Sequence, residues 1–138
     1  MSLQSLPYTP PRLAAVSLSS GWNQVWMRFR LDQPLSIDAA PLTLTMLIEG
    51  TGTDDRLQFA LTVSRRQLRR YFVIDHGADH VHYLDGDGFA MGERVIVVPF
   101  DEHWLASVRS PMSFGALIST DASDATGRFP VSVLGELR

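Results

Sequence analysis

Apolar side chains fall at every second position over most of this chain. Val25, Met27, Phe29 and Leu31 alternate with Trp26, Arg28, Arg30 and Asp32, and the rhythm returns at Leu42, Leu44, Met46 and Ile48 and at Leu57, Phe59, Leu61 and Val63. A period of two turns one side of each segment to a core and the other to water, the mark of half-buried strands. Gly, Pro, Asp and Ser clusters separate the runs and supply turns. Strands are therefore expected from Leu13 to Leu18, Trp22 to Asp32, Leu42 to Glu49, Leu57 to Val63, Asp79 to Leu84, Glu93 to Val98, Ser113 to Ser119 and Phe129 to Leu134. Ser19-Ser20-Gly21 and the loops at 51–55 and 120–127 read as connections, and Asp85-Gly86-Asp87-Gly88 reads as a hairpin turn. Glu93 to Val98 is almost wholly apolar and reads as a central strand covered on both faces and ended by Pro99.

Two segments break the rhythm. Ser64-Arg65-Arg66-Gln67 has the spacing of a capping box, and a helix over 64–72 would put Leu68, Tyr71 and Phe72 on one side with Arg65, Arg66, Arg69 and Arg70 in solvent. Asp101 stands where it would cap a short helix from Glu102 to Val108 that carries Trp104, Leu105 and Val108 on one side. Pro7, Pro10 and Pro11 make residues 1–12 an extended arm suited to clasping a neighbour. The rest, 13–138, reads as a single all-β domain: an antiparallel sandwich or jelly roll of about eight strands with one or two short helices.

At 138 residues, 45% hydrophobic and 20% charged, the chain can bury a core without disulfides or metals. No apolar stretch is long enough for a membrane helix and no secretory signal is visible, so the cytoplasm is the expected setting. Cysteine is absent, which removes thiol nucleophiles and thiolate metal sites; lysine is absent too, which removes Schiff-base chemistry and the phosphate-loop lysine. The net charge of −3 argues against phosphate backbones and anionic lipid as partners of the whole molecule.

Three patterns carry candidate chemistry. His76, His80 and His82 lie within seven residues, and on a strand His80 and His82 share a face roughly 7 Å apart. With Asp79, Asp85, Glu93 or His103 as third donor they would hold a divalent metal such as zinc. His80-Val81-His82 resembles the cupin metal motif, which also has two His separated by one residue; the Glu and glycines that complete that motif are not in place. Asp85-Gly86-Asp87-Gly88 looks like a fragment of a calcium loop but lacks the third ligand and the bidentate Glu, which leaves it a turn.

The second pattern is Arg65 to Arg70, four arginines in six residues that form a surface of guanidinium forks. Ser64-Arg65-Arg66-Gln67-Leu68-Arg69-Arg70-Tyr71-Phe72, followed by Gly77 and Tyr83-Leu84, is similar to the second helix-turn-helix of AraC-type transcription regulators. That resemblance covers about a seventh of the chain and implies major-groove readout by the helix. The third pattern is Trp26 beside Arg28 and Arg30 on the strand face opposite Val25, Met27 and Phe29.

The expected function is a non-catalytic binding or assembly module. It would recognise a protein partner or a carbohydrate through an outer sheet face and loops, with Trp26, Arg28, Arg30, Arg66 and Arg70 as the contact surface and homo-oligomers as one outcome. No cofactor is required by this reading. The first alternative is a small cupin-like metal-dependent barrel enzyme using His80 and His82, with His76 nearby. The second is DNA binding through the arginine helix, which the net charge disfavours.

Overall fold

A computed structural model of the chain describes residues 10–35, 40–120 and 127–135. Among them eleven strands form in chain order: β1 Leu13–Gly21, β2 Gln24–Leu31, β3 Leu42–Glu49, β4 Arg56–Ser64, β5 Gln67–Asp75, β6 His80–Tyr83, β7 Ala90–Met91, β8 Val95–Asp101, β9 Ser113–Thr120, β10 Phe129–Pro130 and β11 Ser132–Leu134. They build two sheets, one in the order β11-β1-β2-β8-β7 and one in the order β10-β9-β3-β4-β5-β6. The expected all-β sandwich is thus the fold, and every pairing but the parallel β1–β11 is antiparallel. No helix among the described residues is long and apolar enough to cross a membrane.

The alternation read in the sequence sets which residues meet between the sheets. Val25, Met27 and Phe29 of β2 and Ile96, Val98 and Phe100 of β8 face Leu44, Met46 and Ile48 of β3 and Leu57, Phe59 and Leu61 of β4, all of them buried in one apolar cluster. Phe59 and Phe100 stack across the two layers with ring centroids 4.0 Å apart. Burying each such side chain contributes about 2 to 3 kcal/mol. A second tie is polar: the Tyr71 hydroxyl on β5 donates to the Pro99 carbonyl oxygen on β8 at 3.0 Å. Burial of the ring, aided by the charge of Asp85, pushes the phenol far above its ordinary range, so it stays a neutral donor.

Several expected boundaries shift, each for a local reason. β1 runs on to Gly21, and the hairpin to β2 turns at Trp22 and Asn23, whose φ values of 58° and 61° are those of a two-residue mirror-image turn. The helix expected over 64–72 is instead the β4–β5 hairpin. Arg65 and Arg66, with φ of 52° and 62°, form its two-residue turn, and Ser64 pairs with Gln67. A lone nine-residue helix is marginal in water, whereas Tyr71 and Val73 continue the buried face of β4 through sheet pairing. Leu68 keeps its place over the core because the register shifts beside it, with Thr62 opposite Arg70 and Val63 opposite Leu68.

Asp85-Gly86-Asp87-Gly88 does not close a hairpin. It carries the chain from β6 in one sheet to β7 in the other, with Gly86 and Gly88 at positive φ. A Cβ on Gly86 would stand 2.3 Å from Leu68 Cδ2, so the crossing lies tight against the core margin. The segment from Phe129 to Leu134 likewise switches sheets at Val131, giving β10 and β11 rather than one strand. β8 extends past Pro99; Val95 to Val98 alternates between half-buried and buried positions, and coverage on both faces is reached only at Val98, Pro99 and Phe100, where Gly88 lies against Pro99. Leu31 N–H donates to Arg94 O and Glu102 N–H to Asn23 O, so the Trp26–Pro99 pair between them is non-hydrogen-bonded and the missing proline N–H leaves no gap. The short helix after Asp101 forms as a 3-10 helix over Glu102–Ser107. Of the arm expected over 1–12, residues 1–9 lie outside those described, and Arg12 is fastened to Asp32 by two hydrogen bonds. The loop residues 121–126 lie outside them as well.

Tyr71→Phe is expected to lower stability by about 1 to 2 kcal/mol in urea unfolding, because it leaves the buried Pro99 carbonyl without its donor. Arg65→Asn with Arg66→Gly is expected to raise stability by about 1 kcal/mol by relieving two left-handed arginines. A loss of stability in that double variant would support the helical reading of the segment.

Candidate functional site

The outer face of the six-stranded sheet presents a second apolar surface, separate from the core. The register aligns it in rows. Leu117, Thr45, Ala60, Phe72 and Tyr83 lie side by side from β9 to β6, and Leu47, Gln58, Ile74 and Val81 form the next row. Leu47 and Ala60 are 7% and 4% exposed and lie outside the core cluster. Toward β6 the cover ends: Val81 is 45% and Tyr83 76% exposed. Phe72 and Tyr83 touch, with ring centroids 6.0 Å apart.

Charge frames this surface along the strands. At the β4–β5 turn stand Arg65, Arg66, Arg69 and Arg70, none with a carboxylate within salt-bridge distance among the described residues; Arg69 Nε donates instead to Ser64 O at 3.4 Å. At the opposite strand ends lie Glu49, Asp54, Asp55, Asp75 and Asp79. Arg56, Arg109 and Arg128 share that end: Arg128 pairs with Glu49, and Arg109 N–H donates to Asp55 at 2.8 Å. Asp75 accepts from Gly77 and Ala78 and closes the turn into β6, and Asp54 and Asp79 are exposed.

The histidines separate by face. His76 continues the outer side of β5 and its Nε2 lies 3.3 Å from Gln58 Oε1. The turn at 76–79 reverses which parity looks inward, so His80 and His82 lie opposite Asp75 and Val73, on the side toward the other sheet. Their rings meet edge to face at 4.1 Å, and His82 rests on Trp104 of the 3-10 helix at 4.9 Å. Among the described residues no three His, Asp or Glu side chains assemble as a metal-ligand group. The sequence pattern therefore yields a pair of imidazoles packed on an indole, with His76 elsewhere.

The arginine and tryptophan candidates also part. Arg28 and Arg30 are exposed on the outer face of the five-stranded sheet, whereas Trp26 between them and Gln24 is half-buried. A Cβ at Gly88 would come within 3.2 Å of the Trp26 ring and 3.0 Å of Pro99, so the inter-sheet crossing lies over the indole. Arg66 and Arg70 belong to the basic end of the other face, and with no helix at 64–72 the AraC-type resemblance has no recognition element to carry it. The residues missed from the sequence are Phe72, Ile74, Val81 and Tyr83. Their signal was present: Tyr71-Phe72-Val73-Ile74 is apolar at both parities, although a strand in a two-layer sandwich has one core side.

At the end of the sandwich that holds the β1–β2 turn, Asn23, Asp101, Glu102, His103 and Ala106 line a shallow open depression beside Trp22, which is 93% exposed. Asp101 Oδ1 accepts from His103 N–H at 2.9 Å, and His103 Nδ1 lies 2.8 Å from the same oxygen. These bonds, the backbone one foremost, hold the Asp101 carboxyl below the ordinary carboxylate range. A lowered folded value stabilises above the unfolded one and is lost as pH falls through the folded one. Asp101→Ala is accordingly expected to lower the melting temperature at neutral pH, with the difference from the parent chain fading in acid below about pH 4. No family model, curated protein or solved structure matches the chain.

Proposed function

We propose that this chain is a non-catalytic protein-binding module that docks through the outer face of the six-stranded sheet. One observation carries the reading: apolar residues outside the core, from half-covered Phe72 and Ile74 to exposed Val81 and Tyr83, form a contiguous surface on a solvent face. Such surfaces with a polar rim are the usual mark of protein contact. Ile74 and Val81 offer shape but no hydrogen bonds, which favours a protein over a carbohydrate rich in hydroxyls. The edges favour a face over strand addition, since β10, β11, β6 and β7 are only two to four residues long. The expectation of a cytoplasmic setting stands on the sequence alone.

A photo-crosslinking phenylalanine analogue in place of Tyr83, in the full chain in cells, tests this. The expected result is one discrete adduct whose partner and linked peptide are identified by mass spectrometry, lost when Ile74→Asp is added and absent from the same probe at Arg28. No adduct at position 83, or equal adducts at 28 and 83, would end the reading.

A further inference from the structure

We propose that His80 and His82 form a two-imidazole site for a late first-row divalent metal ion, copper(II) ahead of nickel(II) and zinc(II), on the inner side of β6 beside Trp104. The site is independent of the docking face, which lies on the other side of the same strand.

The parity of β6 is the starting point. Its apolar members Val81 and Tyr83 look to solvent at 45% and 76% exposure, while His80 and His82 take the side toward the other sheet. A slip of one residue would exchange the two sets and turn the apolar pair inward. Apolar burial therefore does not account for imidazoles at the inner positions. Hydrogen bonding does not account for them either. Among the described residues their contacts are ring contacts and neither imidazole has a hydrogen-bonding partner, so the lone pair of each neutral ring is open to a ligand.

The geometry suits one shared ion. Two imidazoles that bind an ion side by side through nitrogens at about 2.0 to 2.1 Å have ring centres about 4.5 to 5 Å apart. Here the centres are 4.1 Å apart with the ring planes at 82°. An opening of less than about 1 Å reaches the bound spacing, and His80, the exposed member, has room to make it. His82 is already placed: it is half-buried and rests on Trp104 at 4.9 Å. Two rings held in this way lose less rotamer freedom on binding than two on an open strand, a difference worth about tenfold in affinity. Asp75 stands directly across from His80 on the same side, its Oδ1 engaged by the Gly77 and Ala78 N–H groups, and adds negative charge beside the pair.

The other two histidines are engaged elsewhere. His103, which also touches Trp104, is held by Asp101 at 2.8 Å, and His76 lies on the outer side with Gln58. Two protein donors leave the remaining positions of the ion to water, so it exchanges with solvent and the core closes without it. Imidazole suits copper, nickel and zinc, and copper(II) binds nitrogen donors most tightly of the three.

The test is titration of the full chain, without an added histidine tag, with the chlorides of copper(II), nickel(II) and zinc(II) in turn, read by calorimetry and, for copper, by electron paramagnetic resonance. One equivalent is expected to bind, copper most tightly, with a copper spectrum coupled to two imidazole nitrogens. His80→Gln with His82→Gln should lose that equivalent, whereas His76→Gln with His103→Gln should keep it. Arg28→His with Arg30→His, added to the first double variant, sets the same spacing on the outer face of β2, where both positions are exposed. This transplanted pair should bind at least about tenfold more weakly. Should the first double variant lose its β circular dichroism, His80→Gln alone takes its place, and its copper spectrum should fall to one nitrogen. A parent chain that takes up no single equivalent overturns the proposal, as does uptake that survives without His80 and His82 or disappears without His76 and His103. A transplanted pair that binds as tightly as the parent shows adventitious chelation only, and overturns it too.

Discussion

Each sheet of this molecule has one side too apolar for water, and the two sides have only each other. That constraint brings Phe59 onto Phe100 and aligns β3 and β4 over β2 and β8. Polar detail is then arranged around it. Tyr71 shows the order of events: its ring is held in the core by the period of β5, and only there does its hydroxyl reach the Pro99 carbonyl. A hydrogen bond of this kind adds a modest net energy but selects one lateral offset of the sheets, because a buried carbonyl left without a donor is costly.

The margins of the sandwich follow from the same burial. Open sheets end in rows of unpaired amides, a standing invitation to pair with another chain. Here the chain itself crosses between layers on both sides, at 84–89 and at Val131, and the strands at the edges are short. The two outer faces differ in character. One places Arg28 and Arg30 among half-covered residues with the crossing folded over Trp26; the other lays out Phe72, Ile74, Val81 and Tyr83 between the arginine turn and an end of mixed charge.

Turn geometry shows how the sheets overrule local preference. Trp22, Asn23, Arg65 and Arg66 all adopt positive φ in two-residue connections where Gly would sit without strain. The right-handed twist of paired strands asks for that mirror-image turn, and pairing along β1–β2 and β4–β5 outweighs the local cost of about 1 to 2 kcal/mol per residue. Ser64 and Gln67 stand at capping-box spacing, but they are cross-strand partners instead.

The sequence by itself determined the fold class and most of the inner face, because a period of two in Val25 to Leu31, Leu42 to Ile48 and Leu57 to Val63 has one solution that hides every apolar side chain. It also located the cap at Asp101, a local bond between near neighbours. Tertiary structure decided what local pattern left open. It turned the arginine run into a hairpin, made the Asp-Gly segment a crossing, sent His76 to the opposite side from His80 and His82, and left Phe72 and Ile74 facing outward. The physical reason is that alternation assigns residues to two sides without saying which side another layer will cover. That is settled only when distant strands pair, since a turn of even or odd length carries or reverses the parity of everything after it.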